Sequence, residues 1–330
     1  MRYNIFVLGQ DALGAAELAT LPDAHEYLFH SLMTIEELQG GTIDLVALLG
    51  KAERQLDAFE GSIDAIIGFW DFPVSIMLPI LCTRYGLPAK DLLATVKCEH
   101  KYWSRLEQQR LIADYPKFGL VDLADPAATL PPHMTYPVWA KPIKSFSSEG
   151  AYQVTSDAEL QAVLTKRRAA PDRVGQAFNS VLAMLDLPGE IAGIPGGAYM
   201  VEEAATGHQC TIEGYSYDNV VQLTGLIDSL HYDNSSSFFR YRYPSELPLE
   251  VQERIRSVTK TVISGLGLTL LGLCFVLATL HFRSANRQYQ ANEQPLSPST
   301  IHRQGDTQQA YRPIAPCEQK IHQENNNAKR

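Results

Sequence analysis

Lys141 closes a short apolar run, Val138-Trp139-Ala140, and is followed by a proline and the polar stretch 145-SFSSEG-150. A lysine at a strand end, beside a small loop of serine and glycine, suits a polyphosphate. Backbone N–H groups in such a loop point at phosphate oxygens, and the ammonium adds a point charge. The same residues also spell a plain strand–loop–strand with a lysine whose stem lies along the surface. A second lysine, Lys144, sits just ahead of the serines. Further on, an apolar run ends in paired glutamates, 199-YMVEEAATG-207. Arg240 and Arg242 alternate with aromatics in 237-SFFRYRYPSELP-248. Guanidinium forks match carboxylates and phosphates, and an exposed strand with alternating aromatics has the same spelling.

Something must position these groups. Apolar runs at 5–8, 25–29 and 63–69 alternate with helical patterns at 12–21, 44–59 and 73–85. That alternation predicts an open α/β domain with a mainly parallel sheet. Gly9 follows the first run, and a tight strand-to-helix turn accounts for it better than a nucleotide loop, since the other glycines of that motif are missing. Residues 97–115 read as one charged, amphipathic helix carrying Lys101. Short strands are expected at 118–122, 138–140 and 151–154. A helix at 156–165 opens on a Ser-x-x-Glu capping pattern, Ser156 to Glu159. Residues 173–197 give no clear element. Strands at 199–203, 210–217 and 220–228 follow, the last two joined as a hairpin through Tyr217-Asp218-Asn219. Residues 249–266 begin as an amphipathic helix.

In this order the elements and motifs resemble the ATP-grasp family of carboxylate–amine and carboxylate–thiol ligases. The resemblance covers roughly residues 1–270 and rests on the Lys-Pro–loop–Gly motif and on Val-Glu-Glu followed, after three intervening residues, by glycine. It implies an α/β fold: an open parallel-sheet domain at 1–95, then ATP-grasp α+β lobes at 96–280 that clasp ATP. It implies that Lys101 and Lys141 contact phosphates, and that Ser145, Ser147, Ser148 and Gly150 form a flap over them. Glu202 and Glu203 fall at the hinge that meets adenine and ribose. Gln209 stands where many members carry a glutamate for the ribose hydroxyls; an amide still bonds a hydroxyl. Arg240 and Arg242 fall where the family places substrate and acyl-phosphate contacts. The implied cofactors are ATP and Mg²⁺. The implied partner is a small carboxylate, activated as an acyl phosphate and attacked by an amine or thiol. A solvated helix lysine at Lys101 and a solvated strand end at Glu202 and Glu203 are the competing readings.

Composition agrees with a globular protein. The chain has 330 residues, 45% hydrophobic and 20% charged, with net charge -9. An acidic balance predicts no broad nucleic-acid face. The five cysteines are scattered, odd in number and form no Cys-x-x-Cys pair, which argues for reduced thiols in a cytoplasmic protein over a disulfide framework or a zinc site. The N-terminus lacks a signal peptide's apolar stretch.

The C-terminal end departs from the family. There is no acidic residue between Arg254 and Glu293, and no Glu-x-Asn-Pro-Arg motif anywhere. The resemblance puts magnesium-binding carboxylates there, so the C-terminal lobe is expected to be incomplete after about residue 271, and the protein catalytically impaired in the alternative reading. Residues 261–280 carry no charge, and twenty residues of helix reach about 30 Å. A membrane anchor there competes with a shifted reading frame. The stretch 281–330 is polar, rich in Gln, Asn, Ser and Pro, and is expected to be a disordered tail.

Overall fold

A computed structural model describes residues 2–146, 149–204, 207–232, 238–268 and 271–276. The described residues form three sheets. The first is parallel, in the order β2–β1–β3, from Tyr3–Gln10 (β1), Tyr27–Thr34 (β2) and Ala65–Ile67 (β3). Between its strands run α1 (Ala12–Leu18), α2 (Ile35–Gln39) and α3 (Leu45–Asp57), and α4 (Val74–Arg84) follows β3. The amphipathic pattern of α3 seats Leu45, Leu49, Ala52 and Leu56 in the core, with Asp44 capping its first turn through Ala47 N–H at 3.0 Å. Gly9 has φ +77°, and a Cβ there would meet Trp70, Val74 and Leu38 at 3.2 to 3.3 Å, so the turn after β1 is made by a residue without one.

The predicted helix over 97–115 is two helices, α5 (Leu92–Glu99) and α6 (Lys101–Leu111). His100, with ψ 94°, breaks the chain between them and caps α6. The second sheet, in the order β4–β7–β5–β6, is antiparallel: Phe118–Val121 (β4), Val138–Pro142 (β5), Tyr152–Val154 (β6) and Tyr199–Glu203 (β7). One face packs Val138, Ala140, Tyr199 and Val201 against Leu160 and Leu164 of α7 (Asp157–Ala169). Ser156 caps α7 through Glu159 N–H at 3.3 Å, but the Glu159 carboxylate reaches Thr155 N–H at 2.7 Å, one residue before the expected partner. The other face packs Phe118 and Met200 against Tyr102 and Leu106 of α6. The stretch that gave no clear element contains α8 (Arg173–Leu182), whose Val174, Phe178 and Val181 share one core with the parallel sheet.

The third sheet orders as β10–β9–β8–β11, from Cys210–Tyr217 (β8), Val220–His231 (β9), Phe238–Arg242 (β10) and Leu271–Val276 (β11). The β8–β9 hairpin turns through Asp218 and Asn219, both at positive φ (49° and 64°); this is the backbone that two-residue hairpin loops need. Helix α9 (Leu249–Gly265) covers the sheet and ends at a turn with Gly267 at φ +77°. The expected anchor at 261–280 is therefore overturned within the described residues. Its first part ends α9, and β11 pairs antiparallel with β8. No helix among the described residues is long and apolar enough to cross a membrane. Residues 277–330, including the expected tail, lie outside the described residues.

Candidate active site

Lys101 is the first residue of α6, and His100 fixes that start. The buried imidazole accepts Trp103 N–H on Nδ1 at 3.1 Å and meets the Ile194 carbonyl through Nε2 at 3.3 Å. These partners assign the neutral Nε2–H tautomer. Burial lowers the His100 pKa, against the pull of the Ile194 carbonyl. Lys101 N–H donates to Ile143 C=O at 3.2 Å, and its ammonium donates to Ser145 C=O at 2.8 Å and to Ser145 Oγ at 3.2 Å. Helix and loop are thus joined at the residues the sequence singles out.

Across β5 and β7, Trp139 faces Glu202 and Lys141 faces Met200. Lys141 and Glu202 are then diagonal neighbours on one face of the sheet, with Lys141 Nζ 3.1 Å from Glu202 Oε1. A second cation shares that carboxylate. Arg105, one turn beyond Lys101 on α6, donates from Nε to Glu202 Oε2 at 2.6 Å and from its terminal nitrogen to Oε1 at 3.1 Å. Burial would raise the Glu202 pKa, but Arg105 and Lys141 reverse this and hold it at about 2. For Lys141 the balance goes the other way: burial and the charge of Arg105 outweigh Glu202 and lower its pKa.

Lys144 is 3% exposed and lies 2.9 Å from Glu99 Oε2 and 3.4 Å from Asp71 Oδ1. Its ammonium also stands 5.2 Å from the ring centre of Phe72 and 5.8 Å from that of Phe178. Burial opposes its charge, and the two carboxylates more than compensate, so its pKa is raised. Lys101 differs. Among the described residues it makes no ion pair, and burial together with the charges of Lys144 and Lys141 brings its pKa down to about 7. Asp71 and Glu99 act the other way without reversing this, so the ammonium remains short of a paired anion.

The remaining expected residues divide. Gly150 has φ +73°, lies against Pro142, and its carbonyl accepts the Tyr199 hydroxyl. Ser147 and Ser148 lie outside the described residues. Glu203 joins the β4 edge, its N–H donating to Lys117 C=O at 2.8 Å and its carboxylate accepting Lys117 N–H at 3.3 Å. Gln209 accepts Ser229 N–H at 2.9 Å through its backbone carbonyl. Arg240 is exposed on β10. Arg242 binds the fully buried Asp228 at 2.7 and 2.9 Å and Glu246 at 2.5 Å. Asp228 also accepts Ser245 Oγ–H at 2.5 Å and Glu246 N–H at 3.0 Å. Arg242 thereby joins a knot of polar contacts around Asp228 on β9.

Among the described residues no group of three or more His, Cys, Asp or Glu is arranged to hold a metal ion. Asp228 is already engaged by the Arg242, Ser245 and Glu246 donors. Sequence reading left Arg105, Asp71 and Glu99 unassigned. For Arg105 a signal existed: it is four residues after Lys101, hence on the same helix face.

No family model matches the chain. The vancomycin B-type resistance protein VanB of Enterococcus faecalis is 25% identical over 190 residues, 54% of this chain and 47% of VanB. The chain thus spans about half the length of that curated relative. Three solved structures share its architecture over 82% of the chain. They are an L-amino acid ligase from Bacillus licheniformis (TM-score 0.56, 16% identity, 61% of that chain), the VanG D-Ala:D-Ser ligase from Enterococcus faecalis (0.54, 12%, 84%) and a D-alanine–D-alanine ligase from Bacillus anthracis complexed with ATP (0.52, 17%, 79%). The chain has the ATP-grasp fold.

Proposed function

We propose that this ATP-grasp protein binds ATP with its phosphates among Lys101, Lys141 and the 145–150 loop, and that it activates a carboxylate for attack by an amine or thiol. The observation that carries the reading is Lys101: a half-buried ammonium with no ion-pair partner among the described residues, beside two further lysines. A polyphosphate supplies the missing negative charge. The ligases named above act on amino acids, which favours an amine acceptor. In the reaction a substrate carboxylate oxygen attacks the γ-phosphorus and ADP leaves, giving an acyl phosphate. The amine then adds to the acyl carbon, loses a proton and expels phosphate. The chain's part is placement and charge neutralisation. Lys101 and Lys141 offset the non-bridging oxygens, and the Ser145 segment sets the loop over them.

Calorimetry of ATP binding to the whole chain and to Lys141→Ala tests this. We expect binding in the first and a loss of about tenfold or more in the second, the size of one desolvated charge contact. Equal affinity in both, or binding in neither, overturns the site. Nucleotide binding without ligation is the second reading, favoured by the missing Glu-x-Asn-Pro-Arg motif. It predicts ATP binding with no ADP formed on adding amino acids.

A further inference from the structure

Glu202 is held by two cations in different ways. Arg105 grips both carboxylate oxygens, at 2.6 and 3.1 Å, whereas Lys141 touches only Oε1, at 3.1 Å. Arg105 is itself braced, donating to Gln108 Oε1 at 2.9 Å, and Gln108 donates to Ser104 Oγ at 3.3 Å. The Lys141 ammonium has Glu202 as its one ion-pair partner among the described residues. The carboxylate is 12% exposed and Lys141 17%. A phosphate that meets Lys141 competes with Glu202 for the charge of that ammonium. A buried carboxylate that loses its cation is strongly unfavourable. It does not lose its cation here, because the Arg105 fork stays behind.

We infer that Arg105 is a positioning residue that keeps Glu202 in place and charge-balanced, so that Lys141 can exchange Glu202 for a nucleotide phosphate. The inference rests on the nucleotide reading above. Helix α6 carries both ends of the device: Lys101 on the loop side and, one turn on, Arg105 on the hinge side. Arginine suits the task better than lysine, since its planar fork fills both oxygens from one rigid group and never deprotonates. The groups facing Glu202 are Arg105 from α6 and Lys141 from β5. Removing Arg105 leaves Lys141 as the one ion-pair partner of Glu202 among the described residues, and a bound phosphate then shares the single cation that balances the carboxylate.

The test compares ATP and adenosine binding by calorimetry on the full chain, on Arg105→Met, and on Arg105→Met/Glu202→Gln. Adenosine lacks phosphates and reports the integrity of the hinge alone. We expect Arg105→Met to weaken ATP by about tenfold or more while adenosine is held within about twofold, and the double variant to regain most of the ATP affinity because no carboxylate is left stranded. The Glu202 carboxyl, followed by carbon NMR in the nucleotide-free protein, should titrate at higher pH in Arg105→Met. Unchanged ATP affinity overturns the inference, as does a parallel loss of ATP and adenosine, or a double variant no better than the single. An unaltered chain that binds no ATP overturns the nucleotide reading along with it. An unaltered chain that binds ATP, with no effect of Arg105→Met, overturns this inference alone.

Discussion

Lys101 is the residue on which the site's pH behaviour turns. Its ammonium is lowered to about 7 first by burial and then by Lys144 and Lys141, while Asp71 and Glu99 pull weakly the other way. Near pH 8 it is therefore mostly neutral in the empty site. A bound polyphosphate favours the charged form and moves the pKa back up. The bound state then holds more protons than the free state, so affinity falls as pH rises above about 7. Calorimetry at pH 8 in buffers of different ionisation enthalpy should show net proton uptake on binding ATP, and Lys101→Met should abolish it. Equal heats in every buffer would contradict the charge state assigned to Lys101. The sequence indicated the residue through its place before the Lys-Pro strand. It did not disclose the lowered pKa, which comes first from burial and then from Lys144 and Lys141 being folded against it.

At the scale of elements, the placement of Lys101 depends on the break between α5 and α6. His100 makes that break, and its Nδ1 accepts the Trp103 N–H only while the ring is neutral. The lowered pKa of the buried ring fixes the sign. The unfolded chain takes a proton on this histidine at higher pH than the folded one, so stability is lost as pH falls below about 6.5. We expect His100→Ala to lose about 1–2 kcal/mol with the cap. His100→Asn should retain a capping oxygen and lose stability less steeply on acidification. Urea titrations at pH 7.5 and 5.5 on the three chains measure both effects. Much of this architecture was legible beforehand. Tyr199–Glu203 and Cys210–Tyr217 appear at their expected bounds, since apolar runs and a turn that accepts positive φ are local signals. The His100 break was not legible, because 97–115 keeps its amphipathic spelling straight through it. Nor was α8, whose buried face is matched to the parallel sheet far earlier in the chain. The Arg105–Glu202 pair joins residues 97 apart, and no local pattern announces it.

Across the whole molecule, Lys144 gathers parts that the sequence keeps separate. Asp71 follows the parallel sheet, Glu99 ends α5, Phe178 belongs to α8, and the lysine itself leads into the 145–150 loop. With 3% exposure it is the buried cation at the junction of the parallel-sheet core and the Lys-Pro loop. Lys144→Met fits the apolar stem against Phe72 and Phe178 but leaves Glu99, itself 12% exposed, without its ion-pair partner. Breaking one side of a buried pair in this way costs about 3 kcal/mol or more. If that cost is the stranded carboxylate, Lys144→Met/Glu99→Gln should recover most of it, and the cycle should show strong coupling in urea unfolding. If it is lost packing, the double variant should be no better than the single. The same substitution reaches the candidate site. Without the Lys144 charge, Lys101 loses the largest electrostatic cause of its lowered pKa. Lys144→Met/Glu99→Gln should then bind ATP at pH 8 with less proton uptake than the unaltered chain. A stability change without that loss of proton uptake would make Lys144 a brace for the junction with no hold on the charge of Lys101.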